Sequence, residues 1–258
     1  FSNELIGYPE VKDGAVTGKD TIDFERLVSF RFWSSLPPKA SDTVILNINL
    51  NSQDVSVARS FDHLDALTYN VSYGTSLYDS IGDSYSFRLF FTQTEEENEW
   101  QMHYLFIDPE PTPDVEQLGG PYTLIFDDQG VLISDQLVVQ SEFLENRYNG
   151  AIDIGVIEID ISTVTQSSLA YTASIQQNGY TYGHFNRLQV ENCGRVVVSY
   201  SNNIDFVHGQ LGLASFQNQA GLIQNSDGLF VETEASGTAI LGTPCSDGIA
   251  EIIGDDIY

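Results

Sequence analysis

YSNNIDFVHGQLGLASFQNQAGLIQNSDGLFVETEASG, residues 200–237, decides how the rest of the chain is read. The residues leading into it, RVVVSY at 195–200, alternate on a β-branched background and stop at Ser201-Asn202-Asn203. Such side chains bond nearby backbone, and Asn tolerates positive φ, so the pattern is a strand and a corner. Residues 210–216 alternate again, with Leu211, Leu213 and Ser215 on one side and Gly212, Ala214 and Phe216 on the other. They end at Gln217-Asn218-Gln219 before Gly221, which predicts a second strand and a loop with a glycine where the chain reverses.

Working outward, further strands are expected at residues 184–190, 229–233 and 239–241. Toward the N-terminus, Val44, Leu46, Ile48 and Leu50 share one face of an alternating run whose Ile45 and asparagines face the other way. Residues 73–78, 84–92 and 100–107 read as an antiparallel meander, its first connector Asp79-Ser80-Ile81-Gly82-Asp83 having the chemistry of a tight hairpin. In residues 151–161, Ile157, Ile159 and Ile161 are the expected buried face. Leu64, Leu67 and Val71 have helical spacing, but Asp62, Asp65, Thr68 and Asn70 are poor helix formers, so residues 59–67 are expected to be a loop with at most one turn of helix. Residues 108–121 carry four prolines among acidic side chains and predict a surface loop. The fold class is all-β, with little or no α-helix.

The chain of 258 residues holds 10 Lys and Arg against 37 Asp and Glu, a formal net charge of −27. That surface repels nucleic-acid phosphates and anionic lipid, so neither is an expected partner. A hydrophobic fraction of 41% argues for folded globules over a disordered acidic tail. No apolar run is long enough to cross a membrane as a helix, and the residues from Phe1 onward do not form a charged-then-apolar signal pattern. Cys193 and Cys245 are the only cysteines, each in a turn-like context, and two free thiols are expected.

Catalytic patterns are thin. His63, His103, His184 and His208 are scattered without metal-ligand spacing, and there is no nucleophile elbow or phosphate loop. Carboxylate pairs such as Glu158 and Asp160 or Asp255 and Asp256 are so numerous that they carry no signal. Asp127-Asp128-Gln129-Gly130 is the one stretch with calcium-like chemistry, and it supplies too few oxygens for a cage. No cofactor or metal is expected, and the chain is not expected to be an enzyme.

Three ordered segments resemble the bacterial flagellar axial proteins, the hook proteins above all. Tyr200-Ser201-Asn202, Ala214-Ser215-Phe216-Gln217-Asn218, Gly221-Leu222 and Thr233-Glu234-Ala235-Ser236-Gly237 are similar to that family's core domain. INLNSQD, LYDSIGDSYSFRLFF and ENEW, within residues 47–100, resemble its outer domain, and LIGYP at residues 5–9 resembles the end of the first half of the core. The resemblance implies a core β domain of residues 1–36 with 178–258, and an outer β domain, residues 37–177, inserted into it. It also implies a subunit that self-polymerises into a flexible tube, meets other axial, hook-cap or junction proteins, and works outside the cell on the flagellum. Because the chain starts on Phe inside the family pattern, a fragment without the family's terminal helices is expected. The resemblance assigns Tyr8, Pro9, Glu10, Val11, Lys12, Asp13, Gly14 and Ala15 to a core-domain loop touching a neighbour's outer domain; the outer faces around residues 108–117 are a second contact candidate.

The two crossings between domains are short and polar: Ser35-Leu36-Pro37-Pro38-Lys39 and Gln176-Gln177-Asn178-Gly179-Tyr180. They are expected to act as a hinge, since domains in one chain move unless a large apolar interface holds them. The alternative from another class is a secreted carbohydrate- or protein-binding β-sandwich, with Trp33, Trp100 and the tyrosines as a stacking face.

Overall fold

The computed structural model describes residues 6–7, 28–29, 34–108, 115–145, 150–245, 252 and 255–257. The chain divides into two units, Phe1–Leu36 with Gly183–Tyr258 as unit 1 and Pro37–Tyr182 as unit 2. Unit 1 opens with the antiparallel pair β1 (Ile6–Gly7) and β2 (Val28–Ser29), followed by β3 (Ser35–Leu36).

Unit 2 is a sandwich of two sheets. β4 (Thr43–Asn51) buries Val44, Leu46, Ile48 and Leu50 and turns Ile45 outward, as a period of two requires. β5 (Val71–Tyr78), β6 (Ser84–Gln93), β7 (Glu99–Asp108) and β8 (Val115–Ile125) form a four-stranded antiparallel meander. β9 (Val138–Gln140), β10 (Glu158–Asp160), β11 (Thr165–Ser167) and β12 (Thr172–Gln177) complete the second sheet around β4. β12 runs antiparallel along one edge of β4, while β10 and β11 run parallel on the other, and β9 lies beyond β10. One buried cluster joins the β4 residues and Ile157, Ile159 and Ile161 to Phe87, Leu89, Phe91, Trp100, Met102, Tyr104 and Phe106 of the meander. The indole N–H of Trp100 donates to Gln166 Oε1 at 2.6 Å, so the one polar atom that this large ring brings into the core is satisfied.

The run FRLFF is more apolar than one sheet face needs because both faces are covered. Residues 54–70 lie over the outer face, where Phe61 stacks on His103 with ring centroids 4.0 Å apart and meets Phe90 edge-on at 5.3 Å. This segment is a loop without helix. Asp62 and Asp65 accept the N–H groups of Leu64 and Leu67, and the Thr68 hydroxyl bonds the Asp62 and Asp65 carbonyls, so local side chains outcompete a helical ladder.

Burial pushes the His103 imidazole below its ordinary pKa. The unfolded chain therefore takes up this proton first, and the stability contributed by neutral His103 is present above about pH 6.5 and lost as pH falls toward the folded value. In His103→Phe the ring stack persists without the titration. The melting temperature of the parent should fall further than that of the variant between about pH 7.5 and 5.5; parallel curves in calorimetry would refute the assignment.

The surface loop expected through residue 121 is corrected by β8, which contains Gly119, Gly120 and Pro121. As the edge strand of the meander, it loses nothing to the missing N–H of Pro121. Gly119 makes room for the Tyr104 ring, since a Cβ there would sit 2.1 Å from Tyr104 Cζ.

Unit 1 resumes with the hairpin β13 (Gly183–Val190) and β14 (Arg195–Tyr200), then β15 (Asp205–Gln210). Val196, Val197, Val198, Ser199 and Tyr200 are buried in five consecutive positions, as suits a central strand covered on both faces. β16 (Leu213–Ser215), β17 (Ile223–Gln224), β18 (Phe230–Val231), β19 (Ile240–Gly242) and β20 (Asp255–Ile257) follow. The sheet order is β15-β14-β13-β20 with β3 also on β13, while β16 pairs β19 and β17 pairs β18. The strand expected at residues 210–216 is thus two: Gln210 closes β15, and β16 belongs to a separate ribbon. Among the described residues, helix is confined to two 3₁₀ turns, Asn192–Gly194 and Gln219–Gly221.

Candidate functional site

The residues read as crossings sort into two sets of bonds. Ser35 and Leu36 pair with His184 and Gly183 of β13 in unit 1. In unit 2, Lys39 and Tyr180 exchange both backbone hydrogen bonds at 2.9 Å. Ser41 is fully buried between them and the meander; its hydroxyl donates to Gln177 Oε1 at 2.7 Å and accepts the Tyr78 N–H at 2.9 Å. Gln177 Oε1 also accepts the Gly179 N–H, and its amide donates to the Gly179 carbonyl at 3.0 Å. Asn178 accepts the N–H groups of Asp42 and Thr43 and donates to the Asp42 carboxylate. Asn178 first, and Thr43 second, hold the Asp42 carboxyl below its usual range.

Gln176 and Gln177 are the last residues of β12, paired with Ile45 and Val44. All of residues 176–180 lie inside unit 2, which ends at Tyr182. Their polar side chains close the base of the sandwich, each buried group finding a partner within it. The two units divide between Leu36 and Pro37 and between Tyr182 and Gly183. An Asn-Gly pair at 178–179 was the available signal for a tight closure; nothing in the sequence marks Ser41.

In unit 1 the motif segments form a corner and, apart from it, a clasp. Tyr200 is buried at the corner, Ser201 exchanges bonds with the His184 backbone, and Asn203 takes φ 62°. Asn218 donates its backbone N–H to the Ser236 carbonyl and its side-chain amide to the Ala235 carbonyl. Thr233 Oγ1 donates to the Gly221 carbonyl at 2.7 Å, and a Cβ on Gly221 would sit 2.5 Å from the Ala235 carbonyl carbon. The Asn, Gly and Thr-x-x-Ser segments therefore form one polar clasp.

The expectation of two free thiols is overturned. Cys193 and Cys245 form a disulfide, their Cα atoms 5.3 Å apart across 52 residues. The reason is topological. The β16–β19 ribbon returns the chain to the β13–β14 turn, where a Cβ on Gly194 would sit 2.9 Å from Pro244 Cγ.

Of the other candidates, Tyr8 to Ala15 lie outside the described residues, as do Trp33 and residues 109–114 of the second contact region. Glu116, in β8, meets His63 at 3.0 Å. Asp127 Oδ1 is engaged by the N–H groups of Gln129 and Val131, a side-chain turn. No group of three or more His, Cys, Asp or Glu is placed to hold a metal among the described residues. Trp100 is wholly buried, which removes it from the stacking face of the carbohydrate-binding alternative.

The architecture defines a class, an all-β protein in which a β-sandwich is inserted into a smaller β unit. Residues 49–180, most of that sandwich, match the flagellar basal body protein FlaE D2 domain. The chain belongs to this family. It is similar to flagellar hook protein FlgE of Salmonella typhimurium, 31% identical over 227 residues, covering 83% of this chain and 52% of that one. The FlgE of Escherichia coli is 28% identical over 208 residues, covering 80% and 50%. The chain thus spans about half the length of these curated relatives. The crystal structure of Helicobacter pylori flagellar hook protein FlgE2 shares the fold, with a TM-score of 0.61 at 14% identity, covering 93% of this chain and 83% of that one.

Proposed function

We propose that this chain is the two-unit β portion of a structural subunit of the bacterial flagellar hook. The subunit polymerises into a flexible tube outside the cell and passes torque from motor to filament. The observation that carries this reading is similarity to FlgE across 83% of the chain, spanning both units. The subunit is not an enzyme, carries no cofactor, and is exported without a cleavable signal peptide. Its partners are other copies of itself and, at the tube ends, axial, cap or junction proteins.

Bending while turning requires contacts that exchange at little net cost, which polar, hydrated interfaces provide. Residues 8–15 and 108–117 are the proposed contact segments. The joins between Leu36 and Pro37 and between Tyr182 and Gly183, where the two units divide, are the proposed hinge. Deleting the gene in its source bacterium and imaging isolated basal bodies tests the reading. Structures ending at the rod and loss of swimming, both restored by the gene, are expected; intact hooks in the deletion strain would overturn it. A net charge of −27 adds a second expectation for the full-length protein: salt from about 0.05 to 0.5 M should lower the critical concentration for tube formation, because screening weakens repulsion between copies. Dissolution of tubes by salt in light scattering would mean attractive ion pairs dominate.

A further inference from the structure

Residues 211–245 are tied to the rest of unit 1 at their two ends, by the Leu211 N–H bond to the Gly194 carbonyl and by the disulfide. Pro244 is the one buried apolar side chain within them, and their regular structure is two short two-stranded ribbons and one 3₁₀ turn. The β17–β18 hairpin is nevertheless well built. Asn225 Oδ1 accepts the N–H groups of Asp227 and Leu229, Gln224 donates to the Gly228 carbonyl, and Gly228 takes φ +81°. What it presents is apolar: Ile223, Leu229 and Phe230 are 63%, 65% and 67% exposed, and Val231, opposite Ile223 in the register, is 48% exposed. An isolated hairpin is marginal in water and gains stability from packing on another surface.

Charge says which surface. Lys, Arg, Asp and Glu make up 18% of the chain, yet residues 206–231 hold one of them, Asp227. A basic partner would be drawn to the acidic faces elsewhere. A second copy of this chain, itself at −27, is repelled from those faces and meets least repulsion here. We propose that the β17–β18 hairpin is a subunit–subunit contact, with Phe230 as its anchor seated on a neighbouring copy. This rests on the hook reading and specifies one of its interfaces.

The test uses the full-length protein. Phe230→benzoylphenylalanine keeps an aromatic anchor, and after irradiation of tubes mixed from ¹⁴N- and ¹⁵N-labelled subunits, mass spectrometry distinguishes links between copies from links within one. Mixed-isotope adducts at position 230 are expected. Phe230→Asp should raise the critical concentration for tube formation by about tenfold or more, from the lost burial of one aromatic side chain. Adducts confined to single chains, or none, with Phe230→Asp assembling at the parental concentration, would overturn the contact. Failure of the parental full-length protein to form tubes would instead strike the hook reading itself.

Discussion

Replacing both Cys193 and Cys245 by serine is expected to cost unit 1 about 2–4 kcal/mol and to leave unit 2 unchanged. The bridge closes a loop of 52 residues, for which the chain-entropy model gives a denatured-state effect of about 4 kcal/mol. The loss should not spread evenly. β13, β14 and β3 share the buried Leu36, Leu188, Val196 and Val198 whether or not the bridge is present. Residues 211–245 are held together by the β16–β19 ribbon and the clasp of Asn218, Gly221, Thr233 and Ser236, and the disulfide joins them to the β13–β14 turn beside the bond from the Leu211 N–H to the Gly194 carbonyl at 2.8 Å. Hydrogen exchange should therefore accelerate first at the amides of Leu222, Asn225 and Ser236, with β14 still protected. Urea unfolding should show two transitions, one shifted and one not, because two units need not unfold together. Adding a reductant to the unmutated chain should reproduce the variant. Unchanged exchange across residues 211–245 in the serine variant would show that the ribbon, the clasp and the Leu211–Gly194 bond hold the segment without the bridge.

How much of this was legible follows from what each segment asks of its side chains. β4 and the meander could be read because alternation is imposed by burial of one face, and the Asp79 turn because its carboxylate accepts the N–H groups of Ile81, Gly82 and Asp83 in sequence. The corner at Ser201-Asn202-Asn203 was legible for the same local reason. β8 was not, since glycine and proline normally mark loops, and only an edge position beside the Tyr104 ring makes them useful in a strand. The disulfide was hidden because bridging depends on a Cα separation that two turns 52 residues apart do not announce. Residues 176–180 looked like a linker because they are polar. Their polarity serves the buried Ser41 hydroxyl and the Lys39 pairing, partners about 136 residues away that no local pattern reveals.

Gly179→Ala is expected to destabilise unit 2 by about 2–3 kcal/mol, roughly 5–10 °C in melting temperature for a unit of this size. A Cβ at this position would lie 2.3 Å from Ser41 Oγ, 2.6 Å from Ser41 N and 2.9 Å from the Lys39 carbonyl oxygen. Two of these three are backbone atoms, so no rotamer change relieves the overlap. The chain must move apart, and the first bonds to go are those between Lys39 and Tyr180 and between Ser41 and Gln177. Breaking them leaves the Ser41 hydroxyl, fully buried in the parent, short of an acceptor. Gly74→Ala is the control, with its nearest neighbours 3.9 Å away and within about 0.5 kcal/mol of the parent expected. Exchange at the Lys39, Ser41 and Tyr180 amides should rise in Gly179→Ala while the Phe87 and Tyr104 amides, in the middle of the meander, stay protected. The Asp42 carboxyl, held low first by Asn178, should also titrate closer to its ordinary value in this variant. If the variant melts with the parent, the polar knot is not what closes the sandwich.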